Sequence, residues 1–153
     1  MKGLVYEEYA PDDDFKKILK VKDVDDPKPK PDEVVFKVKA SALNFNDIWG
    51  MRGQPVPVPL PHISGSDAAG EVIAVGDEVT KIKVGDRVMS HSNMSCRVCS
   101  ACTDGREFDC EKRTIWGFQT GPNWGAFSEI THLPEVNIVK LPDNVSFDDA
   151  AAA

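Results

Sequence analysis

Four cysteines within fifteen residues, in the pattern Cys96-x2-Cys99-x2-Cys102-x7-Cys110, constrain this chain more than any other feature. Closely spaced thiols on a loop can wrap a small ion, and Gly105 in the last gap lets the backbone fold back. Zinc takes four tetrahedral ligands, with sulfur at about 2.3 Å. Four thiolates leave no open coordination position, so such a site is structural and not catalytic. The competing readings are an iron–sulfur cluster, disulfides and plain thiols, and spacing alone does not separate zinc from iron–sulfur. The N-terminus turns acidic at Glu7-Glu8 before any long apolar stretch, so no secretory signal is expected. A disulfide framework is then disfavoured, a metal site comes to the front, and a cytoplasmic protein is expected. His62, His91 and His132 are scattered without ligand-like spacing, and are read as surface or hydrogen-bonded histidines.

A length of 153 residues suits one domain, which at that size buries roughly 70% of its unfolded surface. Hydrophobic residues make up 41% of the chain and charged residues 28%, as in globular proteins. The net charge of −7 argues against nucleic acid or a polybasic membrane contact as partner. No apolar run approaches the roughly 18 residues of a membrane span. Short strands are predicted at Gly3–Glu7, Ile18–Val24, Glu33–Ala40, Gly70–Gly76, Ala126–Thr131 and Asn137–Lys140, and Val84–Met89 is read as a turn entering another strand. In the third, Val34, Phe36 and Val38 face one way and Val35, Lys37 and Lys39 the other. Proline-rich stretches at Asp26–Asp32 and Gln54–Pro61 read as extended connectors. A short helix is expected over Asn44–Met51, capped by Asn44 or Asn46. Ser146 with Asp149 three residues on marks a second helix start, followed by four alanines. Many short strands with glycine and proline punctuation indicate a mostly β fold, a barrel or sandwich with few short helices.

The cysteine spacing resembles the structural zinc lobe of the medium-chain dehydrogenase/reductase (zinc alcohol dehydrogenase) superfamily. Other segments agree in order. Pro29-Lys30-Pro31-Asp32-Glu33-Val34 is similar to its Pro-x-Pro-x-x-Glu-Val strand entry. Gly65-Ser66-Asp67-Ala68-Ala69-Gly70-Glu71-Val72 is similar to its Gly-His-Glu-x-x-Gly-x-Val segment. Val84-Gly85-Asp86-Arg87-Val88 and Gly125-Ala126-Phe127-Ser128-Glu129 match a turn and a strand of the family, and Leu141–Ala151 resembles its exit from the first domain. The resemblance implies a GroES-like barrel over residues 1–145, with a zinc lobe at about 91–113 held by Cys96, Cys99, Cys102 and Cys110. Residues 146–153 would begin a helix leading to a Rossmann domain that is missing here. That domain would bind NADPH or NADH, and the full-length protein would be a homo-oligomer. No Gly-x-Gly-x-x-Gly follows a strand in this chain, so cofactor-binding residues are not assigned.

Departures from the family point to the chemistry. Zinc-catalysing members carry Cys at the position of Asn44, Ser or Thr at Asn46, and His-Glu at Ser66-Asp67. Asn and Ser are poor zinc ligands, so a catalytic zinc is not expected. Leu43-Asn44-Phe45-Asn46-Asp47, His62-Ile63-Ser64-Gly65-Ser66-Asp67 and Ile115-Trp116-Gly117-Phe118-Gln119-Thr120 with Asn123-Trp124-Gly125 resemble enoyl-thioester reductases and crotonyl-CoA carboxylase/reductases. A Glu that helps hold carbon dioxide in the latter is Gln119 here, which leaves reduction without carboxylation. The resemblance implies hydride transfer from NAD(P)H to an enoyl thioester, with a CoA thioester as the small-molecule partner. Asn44 and Asn46 are the candidate catalytic residues, and Trp49, Ser66, Phe118 and Gln119 the candidate substrate contacts. Trp49, Trp116 and Phe118 can line a cleft or fill the barrel. Rival expectations are a zinc alcohol dehydrogenase, a quinone reductase, or a stand-alone zinc-stabilised binding module.

Overall fold

Residues 1–122 and 125–153 are described by the computed structural model; Asn123 and Trp124, part of the segment matched to the carboxylase/reductases, lie outside the described residues. The elements are β1 (Lys2–Tyr6), α1 (Phe15–Ile18), β2 (Lys20–Asp23), β3 (Glu33–Ala42), α2 (Phe45–Arg52), β4 (His62–Ile63), β5 (Asp67–Val75), β6 (Arg87–Ser90), β7 (Asn93–Met94), α3 (Ser100–Thr103), β8 (Thr114–Ile115), β9 (Ile130–Pro134), β10 (Ile138–Lys140) and α4 (Phe147–Ala151). An antiparallel sheet of order β10-β6-β5-β3-β9 curls into a half-barrel. The β3–β5 ladder shifts register between Val35 and Phe36 and again between Val38 and Ala40. Such irregularities bend a strand and raise its twist, and they supply the curl here. A small sheet, β2-β1-β4, closes one side, and the β7–β8 pair belongs to the cysteine lobe.

Alternation in β3 is visible in the core. Val34 and Phe36 pack with Val72, Val88, Trp116 and Leu133, with Val38 at the margin. Val35, expected on the open face, is buried as well. A second cluster sets Tyr6, Ile18 and Val58 against Met51 of α2 and Phe118. Ala150 and Ala151 of α4 are buried with Ala69 and Leu141, and the Arg87 guanidinium lies 4.5 Å over the Phe147 ring. Ser146 caps that helix, accepting from the Asp149 N–H at 3.0 Å.

Two strand boundaries differ from the sequence pattern. Phe15–Ile18 turns as a short helix, because that turn buries Ile18 in the second cluster, and the strand is left with Lys20–Asp23. The predicted strand Ala126–Thr131 joins the ladder only from Ile130. Its first residues bend and bond elsewhere: Ala126 N–H donates to Gly65 O at 3.0 Å, and Phe127 N–H to Ser64 O at 3.0 Å. This segment therefore crosses between the two sheets.

Two buried histidines hold segments together. The His62 ring nitrogens lie 3.1 Å from both Pro59 O and Gly117 O. His132 Nδ1 is 3.0 Å from buried Glu33, which also accepts from Lys30 Nζ at 2.9 Å. Burial holds both imidazoles below the usual histidine range. The unfolded chain therefore takes up these protons first as the pH falls, and stability is lost below pH ~6.5. The urea midpoint should be higher at pH 7.5 than at pH 5.5, and His62→Gln should flatten that slope. An equal slope in the variant would show that His62 carries none of it.

Candidate functional site

The cysteine lobe assembles from short turns. The chain enters α3 at Cys99, which places Cys102 one turn on, and Gly105 reverses the path with φ 74°. A 3-10 turn, Glu107–Asp109, then delivers Cys110. All four Sγ atoms lie within 4.8 Å of one another. Cys99 and Cys102 are 3.5 Å apart, and Cys96 and Cys102 4.0 Å. A tetrahedral zinc with bonds of about 2.3 Å sets sulfurs about 3.8 Å apart. A disulfide requires about 2.05 Å, and all four thiols are free. The Val98 and Cys99 N–H groups point at Cys96 Sγ and bring its pKa down to about 6. That is the donor pattern a thiolate ligand needs. The donor set fits a closed, all-thiolate metal.

The second constellation surrounds the start of α2. Asn44 caps the helix: its Oδ1 accepts the Asn46 N–H at 3.4 Å. Its Nδ2 donates to Asp67 Oδ2 at 3.2 Å. The Asn44 amide is thus spent on both sides. Asp47 completes a capping box by accepting the Asn44 N–H at 2.8 Å. Its other oxygen accepts the Gly65 N–H at 3.0 Å. Asp47 is only 3% exposed, and burial pushes its pKa up against the pull of these two donors. This residue was missed by reading residue types alone. The signal was an acid three positions after an Asn cap.

Ser66 lies between Gly65 and Asp67, 1% exposed, with a buried hydroxyl that has no hydrogen-bond partner among the described residues. Asn46 is half-buried, and its side-chain amide makes no hydrogen bond among the described residues. Trp49 is 38% exposed, edge-on to Phe45 at 5.4 Å and tilted to Phe118 at 6.5 Å. Gln119 Oε1 accepts the Ile115 N–H at 3.0 Å and so closes its own turn. Trp116 is fully buried and fills the barrel. Gly117, with φ 72°, presses on the Ser66 corner: an added Cβ would sit 2.0 Å from Gly65 O. Asn44, Asp47, Ser66 and Asp67 thus form one corner, with Trp49 and Phe118 paired on the other side of α2. The corner's donor set does not fit a catalytic zinc. Of its two carboxylates, Asp47 is engaged through both oxygens and Asp67 already accepts from the Asn44 amide, beside a buried hydroxyl.

The architecture is thus a curled half-barrel with a four-thiol lobe and a capped helix at its rim. Residues 30–143 match the family model "Alcohol dehydrogenase GroES-like domain", and the chain belongs to that family. An alcohol dehydrogenase of Geobacillus stearothermophilus is 37% identical over 139 residues, 90% of this chain and 40% of that protein. An L-threonine 3-dehydrogenase of Francisella tularensis subsp. novicida is 36% identical over 123 residues, 78% of this chain and 34% of that protein. The crystal structure of an NAD-dependent alcohol dehydrogenase superposes with TM-score 0.90 at 36% identity, over 100% of this chain and 43% of its own. A crotonyl-CoA carboxylase/reductase structure gives 0.86 at 27% identity, over 99% and 36%. The chain therefore spans between 34% and 43% of the length of these relatives.

Replacing Asp47 by Asn keeps the shape but turns an NH2 toward one of the two backbone donors. A loss of about 1–3 kcal/mol is expected, from an unpaired buried group and a weakened cap. A thermal midpoint lower by several degrees would register it, and an unchanged midpoint would show that the Asp47 bonds do not hold the corner.

Proposed function

We propose that this chain is the substrate-binding half of an NAD(P)H-dependent reductase acting on α,β-unsaturated thioesters without a catalytic zinc. The observation that carries the reading is the corner at Asn44, Ser66 and Asp67, where the side chains that a catalytic zinc needs are replaced or engaged. The nicotinamide cofactor, bound by a further domain, would supply the hydride. The substrate gains that hydride at its β-carbon and a proton at its α-carbon, and negative charge builds on the thioester oxygen meanwhile. Catalysis requires hydrogen-bond donors aimed at that oxygen. The free amide of Asn46 is the donor in this reading, and Asn44 is the residue that positions it. Trp49 and Phe118 would flank the acyl group. Ser66, its hydroxyl buried, would back the corner, and Gln119 would hold the turn that carries Phe118. An uncharged Gln119 supports reduction without carboxylation.

The lobe of Cys96, Cys99, Cys102 and Cys110 would hold one structural zinc. Free thiols fit a reducing compartment, so we place the protein in the cytoplasm. No helix among the described residues is long and apolar enough to cross a membrane.

A second reading, alcohol oxidation with a catalytic zinc, is favoured by the 37% identity to an alcohol dehydrogenase. Metal counting separates the two. One zinc per chain, lost in Cys102→Ser with a lower thermal midpoint, supports the first reading. A second tightly bound zinc that survives Cys102→Ser and is lost in Asp67→Ala would replace it with the second. In the full polypeptide carrying this domain, NADPH oxidation should depend on crotonyl-CoA. Asn46→Ala should lower kcat about a hundred-fold while the fold holds. Unchanged kcat would remove Asn46 from the mechanism.

A further inference from the structure

A cavity of about 350 Å³ opens between β1 and α2, on the β1 side of the Asn44 corner: Asn44 and Asp47 line it, and none of Trp49, Ser66, Phe118 or Gln119 does. Its walls are Leu4, Leu19, Ile48, Met51 and Phe127. Leu43, 85% exposed, and Phe45, 58% exposed, stand at its rim. The charged lining residue, Asp47, has both carboxylate oxygens engaged by backbone N–H groups. One end is polar. Tyr6 Oη and Ser64 Oγ are 3.3 Å apart, the phenol fully buried and the serine 5% exposed. The two hydroxyls carry two protons, and the bond between them uses one. The other is left to donate to an acceptor in the cavity. Burial pushes the Tyr6 pKa up, so the phenol keeps its proton at any ordinary pH. An apolar pocket of this size with a few convergent polar groups has the form of a small-molecule site. At roughly 30 Å³ per non-hydrogen atom, it holds about ten to twelve of them.

We propose that this cavity binds the alkyl or acyl part of a small molecule whose carbonyl oxygen accepts a hydrogen bond from the Tyr6–Ser64 hydroxyl pair. The walls select an uncharged chain or ring, and the leftover O–H selects a carbonyl over a plain hydrocarbon. The cavity shares Asn44 and Asp47 with the proposed reaction corner, but its test stands apart from the reductase reading, because binding needs neither cofactor nor turnover.

The test titrates 2-decanone, with about eleven non-hydrogen atoms, into the 15N-labelled chain. Saturable amide shifts are expected at Leu4, Leu43–Ile48, Ser64 and Phe127. Tyr6→Phe combined with Ser64→Ala removes both donors and should weaken binding about three- to ten-fold, the range for one neutral hydrogen bond. Leu43→Gln alters an exposed rim residue without disturbing the core, and should weaken binding several-fold. Three results would each overturn the proposal. They are no saturable shift up to the solubility limit of the ketone, equal affinity in both variants and the parent, and the same shifts on raising protein concentration without ketone. The last would show that a second copy covers the cavity.

Discussion

The Asp47 carboxylate holds together the place where a helix, a strand corner and the reaction turn meet. One oxygen takes the N–H of Asn44, the other the N–H of Gly65, and so α2 is fastened to the chain entering β5. A buried carboxylate without donors costs several kcal/mol, whereas one with two backbone N–H groups is tolerated. Both donors belong to backbone, which cannot rotate away, so the distance between α2 and the Ser66 corner is set. Asn44 then lies where its amide reaches Asp67, and Asn46 is left half-buried with a free amide. The geometry of the turn that carries Asn44 and Asn46 is thus produced by helix capping, and the role proposed for Asn44 rests on the same arrangement.

Around that corner, backbone meets backbone. Gly117 rests on Gly65 with no room for a Cβ, and the His62 ring bridges Pro59 O and Gly117 O. Two segments distant in sequence, residues 59–65 and the turn at Gly117, are therefore packed more closely than side chains would allow. A neutral imidazole has one N–H for these two carbonyls, so the clasp is incomplete at neutral pH. Dense packing of this kind transmits displacement, since there is no void to absorb it.

What the sequence made legible was local. The caps at Asn44 and Ser146, the alternation of Val34, Phe36 and Val38, and the proximity of four cysteines all follow from neighbours in the chain. What it hid was long-range. Val35 is covered although its pattern neighbours Lys37 and Lys39 are not, because both faces of the strand are packed at its start. Ala126 and Phe127 alternate like a ladder strand, but they bond to Gly65 and Ser64 in the crossing between sheets. At the site, residue types were enough to argue against a zinc at Asn44 and Ser66. The division of the Asn44 amide between Asn46 and Asp67 depends on a contact across 23 residues, which no local pattern encodes.

The cysteine lobe and the corner are separate in chemistry but joined in structure. The β7–β8 pair closes the lobe, and Trp116, Gly117, Phe118 and Gln119 follow β8 directly. Trp116 N–H donates to Ser92 O at 2.9 Å, just before β7, so the pairing continues one step into the segment that touches the corner. A metal holding the four thiols would fix the lobe and, through this hairpin, the registry of Gly117 on Gly65 and of Phe118 against Trp49. Without a metal, the lobe has few apolar contacts of its own, since Val98 and Phe108 are largely exposed. A closed thiolate site does no chemistry itself. What it would contribute to the proposed reaction is where it holds Phe118 and Gln119, a positional effect exerted through the β7–β8 pair.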